Sequence, residues 1–557
     1  MSMRGRYDAV IVGSGFGGGV SACRLSEAGW RVCVLERGRR FAPEDFPGSP
    51  EQAPSMLWHE LLNPGGMFDL RLFKDLAVLS AAGVGGGSLV YANVQLRAEP
   101  EVFAEGWPAG IDRAALDPFY DLVEEALEPR TIPPDWPRDP RDPRDPSSEP
   151  PLAKTRAFAA AARAAGREVT PLPLAVYFGE EPRSNPFGGP DAPRQQGCTN
   201  LARCNIGCPR GAKNTIDLTY LARAESHGAE VHALHEALKL HPPERAGGHW
   251  RVSFRNLDSR ARGEVRAPVV VLAAGTLGST RLLLKNRRRL GGLSPALGSR
   301  FCGDGDALGA AFGPRSEAVK GAHTEWGPVM TSRIDYWREA RFMMADGGLP
   351  PGFAGLLEIA RAENALIGWQ RQVLLRLKSI AVALGLSDRG VTPRAVKLRG
   401  ERARAGAEDD SITDALVFLM IGGEAAAGRM RLTWLLRCLD IEWSREASGP
   451  LFDAMAKATE AIAAGAQAKP FFELNAGPLG KYITVHPLGG CPMADEEARG
   501  VVDGYGRVYG QPGLVVADGA IVPTALGVNP SKTIAALAER CVAKLVEEGR
   551  PPPARAR

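Results

Sequence analysis

The sequence predicts an α/β protein of two or more domains with a βαβ unit at its N-terminus. Two observations carry the βαβ unit: buried-strand patterns at Tyr7 to Val12 and Arg31 to Leu35, and a glycine-rich turn between them that opens a helix through about Ala28. The third observation is size. A chain of 557 residues, 44% of them apolar, can bury a large core and assemble its domains from interleaved segments.

The turn carries Gly13, Gly15 and Gly18. That spacing permits a tight turn, close approach of backbone to a pyrophosphate, and close helix-strand packing. Glu36 closes the second strand, where a carboxylate accepts ribose hydroxyls and disfavours a 2′-phosphate, so the expected ligand is FAD or NAD. A second glycine run, with Gly83, Gly86 and Gly87 followed by Tyr91-Ala92-Asn93, lets backbone pass a flat ring or a diphosphate. Taken alone, it equally fits a flexible surface loop.

Residues 131–151 are rich in proline and repeat an Arg-Asp-Pro triplet, which suits an extended connector. A helix is expected over 154–166 and a loop over 182–197. Cys198, Cys204 and Cys208 resemble a ferredoxin-like cysteine run in which Leu201 stands at the second position. Strands are expected at Val231 to Leu240 and at Trp250 to Phe254. His232, His235, His241 and His249 in this region do not match a usual zinc spacing. The apolar run Val269 to Ala274 reads as a buried strand entering a small-residue turn and a helix, a second backbone approach to a cofactor.

Phe353 to Leu386 reads as an apolar helical region, trailed by a basic stretch to Arg404. Two readings fit 353–404: a core or lid helix with a solvated loop, and an amphipathic element resting on an anionic membrane. Toward the C-terminus, His486 and Asn529 each precede a proline, which biases them away from helix. Asn529 is expected to be the N-cap of a last helix whose apolar residues Ile534, Leu537, Ala538, Cys541, Val542 and Leu545 share one face.

Composition excludes several classes. Lys plus Arg at 68 against Asp plus Glu at 64 leaves +4, too balanced for a nucleic-acid binder that depends on a broad basic field. No run of eighteen apolar residues appears, and the first strand leaves no room for a signal peptide, so the expected location is cytoplasmic. Nine cysteines, an odd number in so long a chain, do not make a disulfide framework.

Taken together, the Val12 to Gly19 block, the Gly83 to Val90 block, the Ala212 to Leu221 stretch, the His486-Pro-Leu-Gly-Gly-Cys491 block and Gly527-Val-Asn-Pro530 resemble the glucose-methanol-choline (GMC) oxidoreductase family, in its cholesterol oxidase-like branch. The blocks occur in the family's order along nearly the whole chain, with 311–470 the least similar. The resemblance implies a Rossmann-like FAD-binding domain, formed by 1–100, 196–310 and 471–557. It implies that this domain is interleaved with a substrate domain on an antiparallel sheet, formed by 101–195 and 311–470. It also implies non-covalent FAD, since the histidine that attaches flavin in some members is absent between Gly83 and Asn93.

By the same resemblance, His486 and Asn529 are the catalytic pair, Asp518 and Gly519 contact the flavin side chain, and the substrate is a sterol or similar secondary alcohol. The electrons pass to oxygen or another acceptor. Neutral imidazole, with an ordinary pKa of about 6.5, suits removal of a hydroxyl proton as hydride leaves. The carboxamide of Asn529 suits the substrate oxygen. The final helix would turn its positive end toward the flavin's pyrimidine edge. The cysteine triple leaves two readings open: a three-iron cluster in a sugar or polyol dehydrogenase, or three reduced thiols. A non-catalytic escort protein is the alternative of another class.

Overall fold

The computed structural model describes residues 3–47, 52, 55–140, 142, 150–245, 247–349, 415–473 and 482–549. The 353–404 segment lies outside the described residues, as does much of the proline-rich connector. The strands used below are, in chain order, β1 (Ala9–Val12), β2 (Val32–Leu35), β3 (Glu230–His232), β4 (Val269–Leu272), β5 (Ala307–Phe312), β6 (Ser332–Asp335), β7 (Phe342–Gly347), β8 (Leu416–Gly422), β9 (Arg429–Leu432), β10 (Leu439–Glu442), β11 (Lys469–Glu473) and β12 (Leu514–Val516). The helices are α1 (Phe16–Glu27), α2 (Gly275–Leu290), α3 (Gly449–Gly465) and α4 (Ser531–Glu548).

The first sheet is parallel, in the order β12-β4-β1-β2-β3. Its four leading strands are buried along their whole length, which is why they read as unbroken apolar runs and not as alternating ones. Helices α1 and α4 pack on each other, and Arg24 of α1 joins Glu539 of α4 through Nε at 2.8 Å. Glu539 also accepts from the Tyr220 hydroxyl at 2.9 Å, so the buried carboxylate is paired.

The second sheet is antiparallel, in the order β11-β5-β8-β7-β6, with Thr170–Pro171 at its edge. Helix α3 lies against β5 and β11. The fold class is therefore the expected α/β architecture: a Rossmann-like sheet beside a large antiparallel one.

One expected strand splits. Val231 to Leu240 breaks at Leu234, whose φ is 59°, into β3 and His235–His241. The first piece extends the parallel sheet and the second begins a three-stranded antiparallel one, so apolar content alone could not locate the change of sheet. No helix among the described residues is long and apolar enough to cross a membrane.

Candidate active site

The nucleotide half is built by glycines that leave no room for a side chain. Gly13 follows β1 with φ +99°, and a Cβ there would lie 2.2 Å from the Ala273 carbonyl oxygen. At Gly18 a Cβ would lie 2.1 Å from the Gly13 carbonyl oxygen, so this glycine lets α1 press on its own turn. Gly15, by contrast, has only Gly86 Cα near, at 3.7 Å, and it heads α1 with no side-chain cap. The free N–H groups of that first turn are a ready site for a pyrophosphate.

The second glycine block joins the first. Ser14 Oγ lies 3.3 Å from the Gly83 carbonyl, and Gly85 N–H donates to Ser14 Oγ at 3.2 Å. A Cβ on Gly86 would meet Gly15 Cα at 2.6 Å, whereas the space beside Gly87 is open. Glu36 belongs to the same cluster, accepting from Ser14 N and Oγ at 3.0 and 2.7 Å and from Gly38 N at 2.7 Å. Burial raises its carboxyl above the usual range, against these hydrogen bonds.

Asp518 ends β12. It accepts from Gly275 N at 2.9 Å, Ser279 Oγ at 2.5 Å and Ala520 N at 2.9 Å, and burial pushes it up to about 6. Gly519 follows in a turn where a Cβ would sit 2.8 Å from Thr276 Oγ1. A Cβ on Gly17 would fall 1.6 Å from the Ala517 carbonyl oxygen, so α1, the start of α2 and the end of β12 converge on one point.

His486 lies just past the strand Tyr482–Thr484, in irregular chain. Its Nδ1 is 2.6 Å from Asp306 Oδ1, while Asp306 Oδ2 accepts from the Val485 and His486 amides at 2.8 and 3.1 Å. Asp306 Oδ1 accepts a hydrogen bond from Nδ1–H in the tautomer that leaves Nε2 with its lone pair. Nε2 has no hydrogen-bond partner among the described residues, and the ring is 20% exposed.

Asn529 is buried, and its Oδ1 has no partner. The N-cap of α4 is Pro530, not Asn529, and Asn529 makes no capping bond. Pro530 already holds helical dihedrals (φ −78°, ψ −13°), which moves the boundary one residue along and frees the carboxamide. Both amide atoms of Asn93 and of Gln95 are likewise buried without partners, as is Ser531 Oγ. Buried amides left unpaired mark places where a polar ligand group completes the hydrogen bonding. Asn93 holds φ 68°, and Gln95 reaches α4 through its carbonyl, which accepts from Lys532 Nζ at 3.1 Å. These residues offer donors and acceptors of the kind a flavin ring needs.

One loop grips His486 and the segment that leads into Asn529. Asp306 holds His486, and two residues earlier Asp304 Oδ1 accepts from Leu526 N and Gly527 N at 2.6 and 3.0 Å. The loop is anchored from beneath by Glu424, which accepts from Gly303 N and Gly305 N at 2.8 Å each and from the Trp443 indole. Burial first, with a contribution from Asp306, pushes Glu424 up to about 7. Sequence reasoning missed Asp304, Asp306, Glu424 and Gln95. The only local hint was the Gly-Asp-Gly-Asp run at 303–306.

The cysteine triple does not gather into a metal site. Among the described residues no group of three or more His, Cys, Asp or Glu side chains is placed to hold an ion. Burial pushes the Cys198 and Cys208 thiols up. The three-iron expectation therefore finds no support. Lys213, held down to about 8 by burial, ties this loop to the second glycine block by donating to the Cys204 and Leu89 carbonyls at 2.7 and 2.9 Å. His232, His235 and His241 make ordinary contacts to Glu230, the Ala233 carbonyl and Ser253.

The chain is also similar to known proteins. The C-terminal and N-terminal GMC oxidoreductase family models match residues 427–538 and 188–289, and a Rossmann-like NAD(P)-binding model matches 11–45. A cholesterol oxidase of Mycobacterium tuberculosis is 32% identical, over 99% of this chain and 93% of its own. A long-chain-alcohol oxidase of Arabidopsis thaliana is 25% identical, over 97% of this chain and 67% of its own. Among solved structures, pyridoxine 4-oxidase from Mesorbium loti shares the fold with a TM-score of 0.58 at 17% identity, covering 97% of this chain and 99% of that one. The chain belongs to the GMC oxidoreductase family and is an FAD oxidoreductase acting on alcohols.

Proposed function

We propose that the protein oxidises a bulky secondary alcohol of the sterol class to a ketone. The carrying observation is that one loop holds the segments bearing both groups: His486 Nε2, without a partner among the described residues while Nδ1 is tied to Asp306, and Asn529, whose buried Oδ1 has none. FAD, bound non-covalently, supplies the acceptor for the hydride. His486 Nε2 takes the hydroxyl proton, and the Asn529 amide holds the substrate oxygen as it becomes a carbonyl. Asp306 keeps the ring in the tautomer that accepts at Nε2. Gly13, Gly15, Gly18, Gly83, Gly86, Gly87, Glu36, Asn93, Asp518 and Gly519 hold the dinucleotide. Molecular oxygen is the final acceptor.

The sterol class is supported by similarity to cholesterol oxidase. The decisive experiment is anaerobic bleaching of the flavin by sterols, long-chain alcohols and sugars in parallel. Sterols are expected to bleach it fastest, and a protein reduced only by sugars would overturn the substrate class. Acid denaturation should release free FAD, and flavin retained on the polypeptide would refute non-covalent binding.

A further inference from the structure

Strands β9 and β10 form a two-stranded hairpin that pairs with no other strand among the described residues. Its base is anchored, because Met430, Leu439 and Ile441 are buried. Its tip is closed by three hydrogen bonds: Thr433 N–H to the Cys438 carbonyl at 2.7 Å, Arg437 N–H to the Thr433 carbonyl at 3.0 Å, and Cys438 N–H to Thr433 Oγ1 at 3.0 Å. This defined loop displays Trp434, Leu435 and Leu436 at 85%, 75% and 51% exposure. Three consecutive large apolar side chains in water, on a loop built to hold them there, mark an interaction site.

The surroundings of the tip are cationic. Arg437 reaches the Lys285 carbonyl of α2 at 3.5 Å, and the last turn of α2 exposes Arg287, Arg288 and Arg289. Arg287 and Arg288 make no ion pair among the described residues, so their charge is unspent. A protruding Trp-Leu-Leu tip beside a basic helix end complements a layer with an apolar interior and anionic headgroups.

We propose that this tip anchors the protein peripherally to an anionic phospholipid surface. Trp434, Leu435 and Leu436 enter the boundary between headgroups and acyl chains, while Arg437 and the three arginines of α2 meet phosphates. The proposal goes beyond the substrate reading and stands independently of it.

The test is cosedimentation of the flavin-loaded full chain with sterol-free vesicles, phosphatidylcholine alone against phosphatidylcholine with phosphatidylglycerol. Binding is expected on the anionic vesicles and should weaken in high salt. Joint Trp434→Ser and Leu435→Ser substitution should lower partitioning by at least about tenfold. Joint Arg287→Gln and Arg288→Gln should lower it by about tenfold or more. Both variants should keep flavin content and the rate on a water-soluble alcohol. The proposal fails if the parent protein does not sediment with anionic vesicles, or if the tip variant sediments as well as the parent. It also fails if the tip substitutions abolish only a concentration-dependent self-association seen by ultracentrifugation. Vesicle binding by a protein that ignores sterols would leave the anchor standing and remove only the substrate class.

Discussion

The two halves of the site are held by different forces. Around the dinucleotide, backbone meets backbone: Gly13 against Ala273, Gly17 against Ala517, Gly15 against Gly86. Around His486 and Asn529, buried carboxylates from remote segments do the holding: Asp306, Asp304 and Glu424. Close packing of bare backbone demands one residue type at fixed spacing, whereas a carboxylate can grip a loop from anywhere in the chain. The first half therefore tolerates little added volume at Gly13, Gly17 and Gly18, and the second depends on hydrogen-bond acceptors drawn from distant segments.

The sharpest break between the halves is His486→Ala. It should slow anaerobic flavin reduction by roughly 10²- to 10⁴-fold while FAD stays bound. A variant that reduces flavin at the parent rate would remove the assignment. Asp306→Asn comes next, with an expected loss of roughly 10- to 10²-fold in the same stopped-flow assay, the span typical of a group that orients a functional histidine. Unchanged FAD content would separate this from a folding defect.

Glu424 allows a pH test. Its carboxyl is raised from 4.5 to about 7, so between those values the native protein keeps a proton that the unfolded chain has lost. Stability from this group is therefore full below 4.5 and is lost as pH rises through 7. Asp518, raised from 3.8 to about 6, acts in the same direction but at lower pH. Over the window from pH 6 to 7 the parent should lose about 1 kcal/mol from Glu424 alone. Glu424→Gln should flatten the Tm profile across that window, and an equal slope in both proteins would show that another group titrates there. An effect of similar size belongs to the nucleotide half: Glu36→Ala should weaken FAD retention by about tenfold with His486 and Asn529 intact. Equilibrium dialysis checks it, and unchanged retention would deny Glu36 its role.

This contrast also explains what could be read in the one-dimensional chain. The glycine fingerprint, the buried strands and the pre-proline histidine are local patterns, and the parallel sheet followed from them. His486 and Asn529 were legible because each sits in a contiguous block. Asp306 was not, since its meaning comes from a chain crossing some 180 residues away, and Glu424 lies two residues past a strand that looks like any other apolar run. The cap at Asn529 was misplaced by one residue because Pro530 holds helical dihedrals and itself forms the helix boundary. Cys198, Cys204 and Cys208 looked like ligands by spacing alone, yet among the described residues they form no group placed to hold an ion.

The contact between α1 and the end of β12 has a consequence for how the polypeptide matures. Strand β4 pairs with β12, so a sheet begun by the ninth residue stays open along one edge until residue 516 has been translated. The N-terminal turn therefore waits, with its apolar helix uncovered, through most of synthesis. Long-range closure of this kind is slow and exposes sticky surface meanwhile. Nascent chains halted before β12 should be substrates for chaperones or proteases rather than weakly active enzymes.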